Sequence, residues 1–226
     1  MAKGMSKGAC NFCGETFSKS VMTKHLKSCK ERKEDSGASS SGPSSCKTGV
    51  FHLVVEGRYA PEYWMHLEVP AGATLEDLDD FLRDIWLECC GHLSAFRIGQ
   101  KVYSVRPMED SDDESMKASL DKVLRPGMSF DHEYDFGSTT HLVLKVLSRE
   151  ERQIKCKSVA VLARNESPEF TCMSCGKTAA HVCAECIYSG GGCLCDECAA
   201  GHKCGEGMLL PLVNSPRAGV CGYTGR

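Results

Sequence analysis

Two stretches of alternating apolar and polar residues lie near the start of the central part of the chain. Residues 50–56 read VFHLVVE and residues 63–69 read YWMHLEV. Alternation with a period of two is typical of β-strands, and Pro61 interrupts it between the two stretches. The pattern therefore predicts a β-hairpin.

A helical pattern follows the hairpin. Thr74 stands three positions before the acidic Asp77, which is the arrangement of a capping box at a helix start. Apolar side chains then recur at helical spacing to about Glu88; they are Leu75, Leu78, Leu82, Ile85 and Cys89. Further strands are predicted at residues 92–98, 101–105, 129–134, 141–148 and 154–163. This order predicts an α+β fold, a β-grasp-like mixed sheet with one main helix, to which two small zinc-stabilised modules are added.

Cysteine is the outlier of the composition, with 16 residues in a chain of 226. Pairs separated by two residues recur as Cys10/Cys13, Cys172/Cys175, Cys183/Cys186 and Cys195/Cys198. This spacing lets a tight turn direct two sulfurs at one metal ion, whereas disulfides need an oxidising compartment. The four pairs, with histidines nearby, indicate zinc.

The first pair belongs to a finger-like segment with the spacing C-x2-C-x11-H-x3-C. Its ligands are Cys10, Cys13, His25 and Cys29, and the last two fall on one side of a helix. The segment resembles the C2HC variant of the small ββα zinc fingers, in which Phe17 and Met22 would form the small core. Four protein ligands close a tetrahedral structural site.

The helix of this finger and its exit are basic. Its cations are Lys19, Lys24, Lys27, Lys30, Arg32 and Lys33. Residues 1–47 carry nine Lys/Arg and four Asp/Glu, for a formal charge of +5, whereas residues 48–170 carry −8 and residues 171–226 are neutral. Any contact with phosphate is therefore expected at the finger. A solvated helix face or a protein partner explains the same lysines, and both alternatives stay open.

Residues 172–204 form the densest cluster of metal-binding side chains, with eight well-spaced donors. The pattern resembles the cross-braced modules of the MYND, HIT and B-box kind, in which alternate pairs share an ion. That resemblance implies one site of Cys172, Cys175, Cys195 and Cys198. It implies a second site of Cys183, Cys186, His202 and Cys204. His181 and Cys193 are spare donors, and three zinc ions are expected per chain.

Residues 50–165 resemble the plasmid pRiA4b ORF-3-like family, also described as passenger proteins of an insertion element. The matching residues are Pro61, Trp64, Val69-Pro70, Thr74-Leu75…Leu78, His92-Leu93…Phe96 and Tyr134-Asp135-Phe136-Gly137…His141. The resemblance implies an association with mobile elements. Relatives with a zinc cluster also have a tail like MLLPLVNSPRAGVCGYTG.

The domain boundaries follow from these patterns. We predict a C2HC finger at residues 1–33, a flexible Ser/Gly-rich linker at 34–48, the α+β domain at 49–168, the two-zinc cluster at 169–207 and a tail packed on the core at 208–226. No run of 18 apolar residues and no apolar leader segment occurs. The sequence therefore predicts a cytoplasmic protein without a membrane partner.

Catalytic residues are not evident. His92, Asp135 and His141 could bind a metal or act as acid and base. We favour the alternative, in which Asp135 and Gly137 shape a hairpin turn and the histidines make ordinary hydrogen bonds. Cys89, Cys90 and Cys156 are expected to be core or near-core thiols, and Cys221 is expected to be buried. We therefore expect a non-enzymatic zinc-binding protein that binds nucleic acid through the finger. A protein–protein adaptor and an enzyme that uses the His/Asp or Cys221 region are the alternatives.

Overall fold

The computed structural model describes residues 6–38, 46–107, 111–154 and 158–225. Thirteen strands lie in these ranges: β1 Lys7–Cys10, β2 Thr16–Ser18, β3 Cys46–Gly57, β4 Trp64–Pro70, β5 Ser94–Ile98, β6 Lys101–Ser104, β7 Glu114–Ser115, β8 Ser129–Tyr134, β9 Thr140–Ile154, β10 Ala160–Asn165, β11 His181–Cys183, β12 Cys193–Leu194 and β13 Leu209–Pro211. The helices are α1 Lys19–Ser28, α2 Lys30–Ala38, α3 Leu75–Leu82, α4 Leu120–Val123 and α5 Asp196–Ala199, with a π-helix at Arg83–Leu87 and 3-10 turns at Cys186–Ser189 and Glu206–Met208. The expected α+β class is confirmed.

One large sheet contains ten of these strands, in the order β2-β1-β10-β4-β3-β9-β8-β5-β6-β7. Strands β3 and β4 form the predicted hairpin, with Leu53 opposite Leu67. Neighbouring strands are antiparallel except for β6 and β7, which run parallel. Strands β11, β12 and β13 form a separate small sheet in the cysteine-rich part of the chain.

The main helix begins at the predicted cap. The Thr74 side chain accepts a hydrogen bond from the backbone of Asp77, and the Asp77 carboxylate accepts one from the backbone of Thr74. The α-helix ends at Leu82, earlier than expected, and the chain continues as a π-helix in which Glu88 N donates to Arg83 O at 2.8 Å. This widened turn carries Trp86, which is fully buried.

The core of the middle domain lies between this helix and the sheet. It is formed by large apolar side chains such as Phe51, Leu53, Trp86, Phe96 and Leu144. The C-terminal tail packs against it beyond β13: Ser215 Oγ donates to Trp86 O at 2.6 Å, and Trp86 Nε1 donates to Asn214 O at 3.1 Å.

Two strand predictions need correction. Strand β9 extends to Ile154, because it pairs along the whole of β3 with Cys46 opposite Ile154. The strand predicted at 154–163 therefore begins later, at Ala160, and Cys156 lies outside the described residues. The described residues contain no helix that is both long and apolar enough to cross a membrane.

The flexible linker predicted at 34–48 overlaps described elements at both of its ends. Residues 34–38 belong to α2 and residues 46–48 to β3, while residues 39–45 lie outside the described part. The finger is joined to the middle domain directly, because β1 adds to the edge strand β10 with Ala9 opposite Arg164. At Gly8 an added Cβ would lie 2.6 Å from Trp64 Cη2 and against the Arg164 carbonyl, so this contact requires glycine.

Candidate metal centres

Four groups of cysteine and histidine side chains converge in the described residues, and each offers four ligand atoms within 4.8 Å of one another. A tetrahedral zinc site with Zn–S bonds of about 2.3 Å places its sulfurs about 3.8 Å apart. A disulfide would instead bring two sulfurs to about 2.05 Å. The distances within each group therefore decide which chemistry it suits.

The first group contains the predicted finger ligands, Cys10, Cys13, His25 and Cys29. Cys10 Sγ lies 4.0 Å from Cys29 Sγ, and Cys13 Sγ lies 3.3 Å from His25 Nε2. Cys10 ends β1, and the turn that follows it includes Gly14 at a φ of 74°. Cys29 forms the C-cap of α1, so that strand, turn and helix end direct their donors at one point.

The core around this site is shared between the finger and the middle domain. Met22 and Leu26 on the inner face of α1 are fully buried against Trp64 and Leu162. Phe17 is only partly buried and packs on the imidazole of His25, with ring centroids 4.4 Å apart. No local sequence pattern assigns Trp64 to the finger, because the contact joins α1 to β4, which are far apart in the chain.

The six basic residues of the finger fall into two sets. Lys19 forms an ion pair with Glu56, and Arg32 forms one with Glu68 at 3.1 Å, so these two contact the middle domain. The remaining four are exposed; they are Lys24, Lys27, Lys30 and Lys33. The outer face of α1 also carries Val21, which is 46% exposed.

The second group contains Cys172, Cys175, Cys195 and Cys198. Cys195 is the N-cap of α5, Cys198 lies within that helix, and Cys175 Sγ is 3.5 Å from Cys195 Sγ. Backbone N–H groups, first that of Cys195 and then that of Ser174, lower the pKa of the Cys172 thiol to about 6. The thiolate form that binds metal is therefore favoured at Cys172.

The third group contains Cys183, Cys186, His202 and Cys204. Cys186 Sγ lies 3.5 Å from His202 Nε2 and 3.7 Å from Cys204 Sγ. Burial raises the pKa of the Cys183 thiol, but the backbone N–H groups of Cys186 and Glu185 outweigh burial and bring that pKa to about 7. The short H-x-C spacing thus places both donors beside Cys186.

The two spare donors stay outside these groups. His181 Nε2 lies 2.8 Å from Asp196 Oδ1, on the small sheet. Cys193 lies at the start of β12, where burial raises the pKa of its thiol. The structure therefore brings together the two sets of four that the cross-braced pattern implies.

A fourth group, Cys89, Cys90, His92 and Cys221, was not predicted as a site. Cys89 is half-buried and packs against the apolar core, as expected of a core or near-core thiol. The same expectation is wrong for Cys90, and the expectation that Cys221 is buried is also wrong, since both are exposed. They lie outside the apolar core because Cys90 follows the end of the π-helix and Cys221 lies in a turn of the C-terminal tail. The short Cys-Cys-x-His sequence and the unassigned Cys221 were the only signals available.

The His92, Asp135 and His141 trio does not form one site. Asp135 has a φ of 64°, and its Oδ1 accepts hydrogen bonds from the backbone of Gly137 and Ser138, which is the turn-shaping role. His141 instead faces Glu133, with Nδ1 3.7 Å from Oε1.

The buried Arg217 links the Asp135 turn to the tail. Its Nη2 donates to Asp135 Oδ2 at 2.7 Å, and its Nη1 donates to Thr140 Oγ1 at 3.0 Å. Although burial of the Asp135 carboxyl raises its pKa, the hydrogen bond from Arg217 and the turn N–H groups lower it overall. Arg217 therefore acts as a buried contact between the domain and its tail.

This chain is similar to one known family and to a solved structure. None of the curated proteins compared with the chain matches it. The crystal structure of a protein of unknown function, MM3350 from Methanosarcina mazei Go1, is similar with a TM-score of 0.45 and 19% identity, over 53% of this chain and 70% of that one. The model of the family described as plasmid pRiA4b ORF-3-like protein matches residues 50–177. The chain belongs to the plasmid pRiA4b ORF-3-like protein family.

Proposed function

We propose that this is a non-enzymatic, mobile-element-associated zinc-binding protein that contacts nucleic acid through its N-terminal finger. The observation that carries the proposal is the exposure of Lys24, Lys27, Lys30 and Lys33 on a finger held firmly by the middle domain. The description of the family, which names a plasmid, supports the association with mobile elements.

Zinc is the metal best suited to the three groups predicted from sequence. Four thiolates in one group, and three thiolates with one imidazole in each of the other two, favour zinc over magnesium or calcium, which prefer oxygen ligands. Each group supplies four protein donors, so no coordination position is left for a reacting water. The three zinc ions are therefore structural in this proposal.

Nucleic-acid binding is favoured by the outer face of the finger. Lys19 and Arg32 form ion pairs with carboxylates of the middle domain, whereas Lys24 and Lys27 on the same finger are exposed. Lysines at such a surface contact phosphates, and phosphate contacts give affinity without sequence specificity. A single finger reads only about three base pairs, so weak sequence preference is expected.

The test is a salt titration of binding to a fluorescent DNA duplex and a single-stranded RNA, read by anisotropy. A variant with all four exposed lysines changed to glutamine is compared with the intact chain. The matched control changes Lys117, Lys122, Lys145 and Lys203, which are also exposed, to glutamine.

Four phosphate contacts predict a loss of about 10²-fold in affinity for DNA between about 50 and about 200 mM salt. The finger variant should lose most of this dependence, by about one unit of slope per lysine. The control should match the intact chain. Binding that is independent of salt, or reduced equally in both variants, contradicts the proposal.

A protein–protein adaptor is the second candidate, and a specific feature of the C-terminal module favours it. Met173, Tyr188 and Met208 are large apolar side chains with 58%, 68% and 43% of their surface exposed. Exposed side chains of this type are common at interfaces. The test is capture of one defined protein from solution. Capture that persists after nuclease treatment, and that is lost when Tyr188 and Met173 are both changed to serine, would support this candidate over the first.

A further inference from the structure

The fourth group of side chains joins two distant parts of the chain. Cys89, Cys90 and His92 follow the π-helix, whereas Cys221 comes from the tail. Cys90 Sγ lies 3.7 Å from Cys221 Sγ, and His92 Nε2 lies 3.2 Å from that sulfur. Cys89 Sγ completes the set at 3.5 Å from Cys90 Sγ.

The sulfur–sulfur distances fit a shared metal ion, whereas His92 Nε2, which lies 2.9 Å from Cys90 Sγ and 3.2 Å from Cys221 Sγ, would shift outward by a few tenths of an ångström to bind it. The two sulfur–sulfur distances agree with the separation of about 3.8 Å on the edge of a tetrahedral zinc site. They also fall within the range of the sulfur–sulfur distances in the other three groups, 3.5–4.0 Å. A disulfide between any two of the sulfurs would require a contraction to about 2.05 Å and would leave the third without a partner.

The backbone is shaped to bring these donors together. Gly91 has a φ of 75°, and this left-handed turn lets Cys90 and His92 face one point. Cys221 has a φ of 49°, which is uncommon for a residue with a side chain, between the left-handed Gly219 and Gly222. A cysteine held in this conformation by its surroundings is typical of a functional position.

Neighbouring side chains complete a second layer. The imidazole of His92 presents Nε2 to the sulfurs while its Nδ1 lies 3.6 Å from Asp135 Oδ1. The separation exceeds a hydrogen bond, but it puts a carboxylate on the side of the ring from which carboxylates orient ligating histidines. Arg217 Nη2 lies 3.4 Å from Cys89 Sγ, so its guanidinium offsets the extra negative charge of three thiolates around a divalent ion.

We propose that Cys89, Cys90, His92 and Cys221 bind a fourth zinc ion, which fastens the C-terminal tail to the end of the main helix. This site is independent of the finger and of the proposed contact with nucleic acid. The ion would join residues 89–92 of the middle domain to Cys221 of the tail, and the cross-braced module lies between these two segments in the sequence.

The test uses the full chain, purified under reducing conditions, with zinc measured by elemental analysis and native mass spectrometry. The intact protein should carry four zinc ions, and Cys221→Ser should carry three. Cys193→Ser is the matched control, because Cys193 lies outside all four groups, and it should carry four. Three ions in the intact chain, or four in Cys221→Ser, would overturn the proposal.

Two further measurements guard against a variant that misfolds. Cadmium-113 spectra of the intact protein should show three sites with three sulfurs and one nitrogen and one site with four sulfurs; only two of the former would refute the fourth site. Mapping by thiol alkylation should find the exposed Cys90 protected in the intact protein and labelled in Cys221→Ser. A Cys90–Cys221 disulfide in the reduced preparation, or equal labelling of Cys90 in both, argues against the ion.

Discussion

The middle domain and the cysteine-rich C-terminal module are held together by different forces. The main apolar cluster of the middle domain contains 25 buried residues, whereas that of the module contains four, two of which are the candidate ligands Cys172 and Cys195. Burial of apolar surface suffices for the first region. The second buries so little apolar surface that, in our proposal, bound metal supplies the remaining stability, as is usual for small zinc modules.

Removal of metal should give the largest difference in stability between the two regions. Structural zinc contributes about 10–16 kcal/mol to small modules, far more than the four-residue cluster can replace. A strong chelator should therefore abolish amide protection in β11–β13 and leave β3, β4, β8 and β9 protected in hydrogen exchange. Protection that persists in the small sheet after the ions are removed would show that our comparison is wrong.

A cavity in the apolar core should have the next largest effect, and only on the middle domain. Leu53 is fully buried between the sheet and the helix, so Leu53→Ala is expected to lower the free energy of unfolding of this domain by about 2–5 kcal/mol. Leu93→Ala is the matched control, because Leu93 is 42% exposed, and it should cost less than about 0.5 kcal/mol. Denaturation followed by the fluorescence of the buried Trp64 and Trp86 measures both.

Acid should destabilise the middle domain through a histidine pair that belongs to none of the metal groups. His52 Nε2 lies 2.9 Å from His66 Nδ1 inside the sheet. Burial, together with the neighbouring His66, lowers the pKa of His52 to about 3, and burial lowers that of His66 to about 4. Below an unfolded pKa of about 6.5 the unfolded chain binds protons that the folded chain does not.

The contribution of this pair to the free energy of unfolding should therefore be constant above about pH 6.5. Below that pH it should fall, by up to about 1.4 kcal/mol per pH unit for each histidine. Denaturation of the zinc-saturated protein between neutral and mildly acidic pH measures this slope. His52→Gln should reduce the slope, whereas His141→Gln, at a partly exposed position, should leave the loss in place. An unchanged slope in His52→Gln would exclude the pair as the cause.

The parts of the fold that sequence predicts are those determined by neighbouring residues. The β3–β4 hairpin and the Thr74 capping box depend on short-range patterns, and both are present. The pairing of β1 with β10 joins residues far apart in sequence, and no local pattern encodes it. Helix α2 was missed because residues 30–38 are polar throughout and lack the apolar periodicity of a buried helix.

The candidate sites follow the same division. Eight of the twelve predicted donors recur in pairs at knuckle spacing over short segments, and the resemblance to cross-braced modules implies how the C-terminal eight divide into two sets. The set of Cys89, Cys90, His92 and Cys221 forms only when the tail returns to the end of the helix. Sequence placed Cys221 in the interior because its neighbours are apolar or small, whereas the surrounding glycines allow a turn that carries it to the surface.

The strand pairing between β1 and β10 makes the finger a cover for the outer border of the large sheet. If the finger binds zinc as we propose, a chain synthesised when zinc is scarce would hold this cover only by strand pairing, ion pairs and the packing of Met22 and Leu26, and would expose Ala160–Asn165 more often. Bare strands recruit strands from other molecules. Metal shortage would thus expose a strand edge that promotes aggregation, and zinc supply would determine how much of the protein stays dispersed.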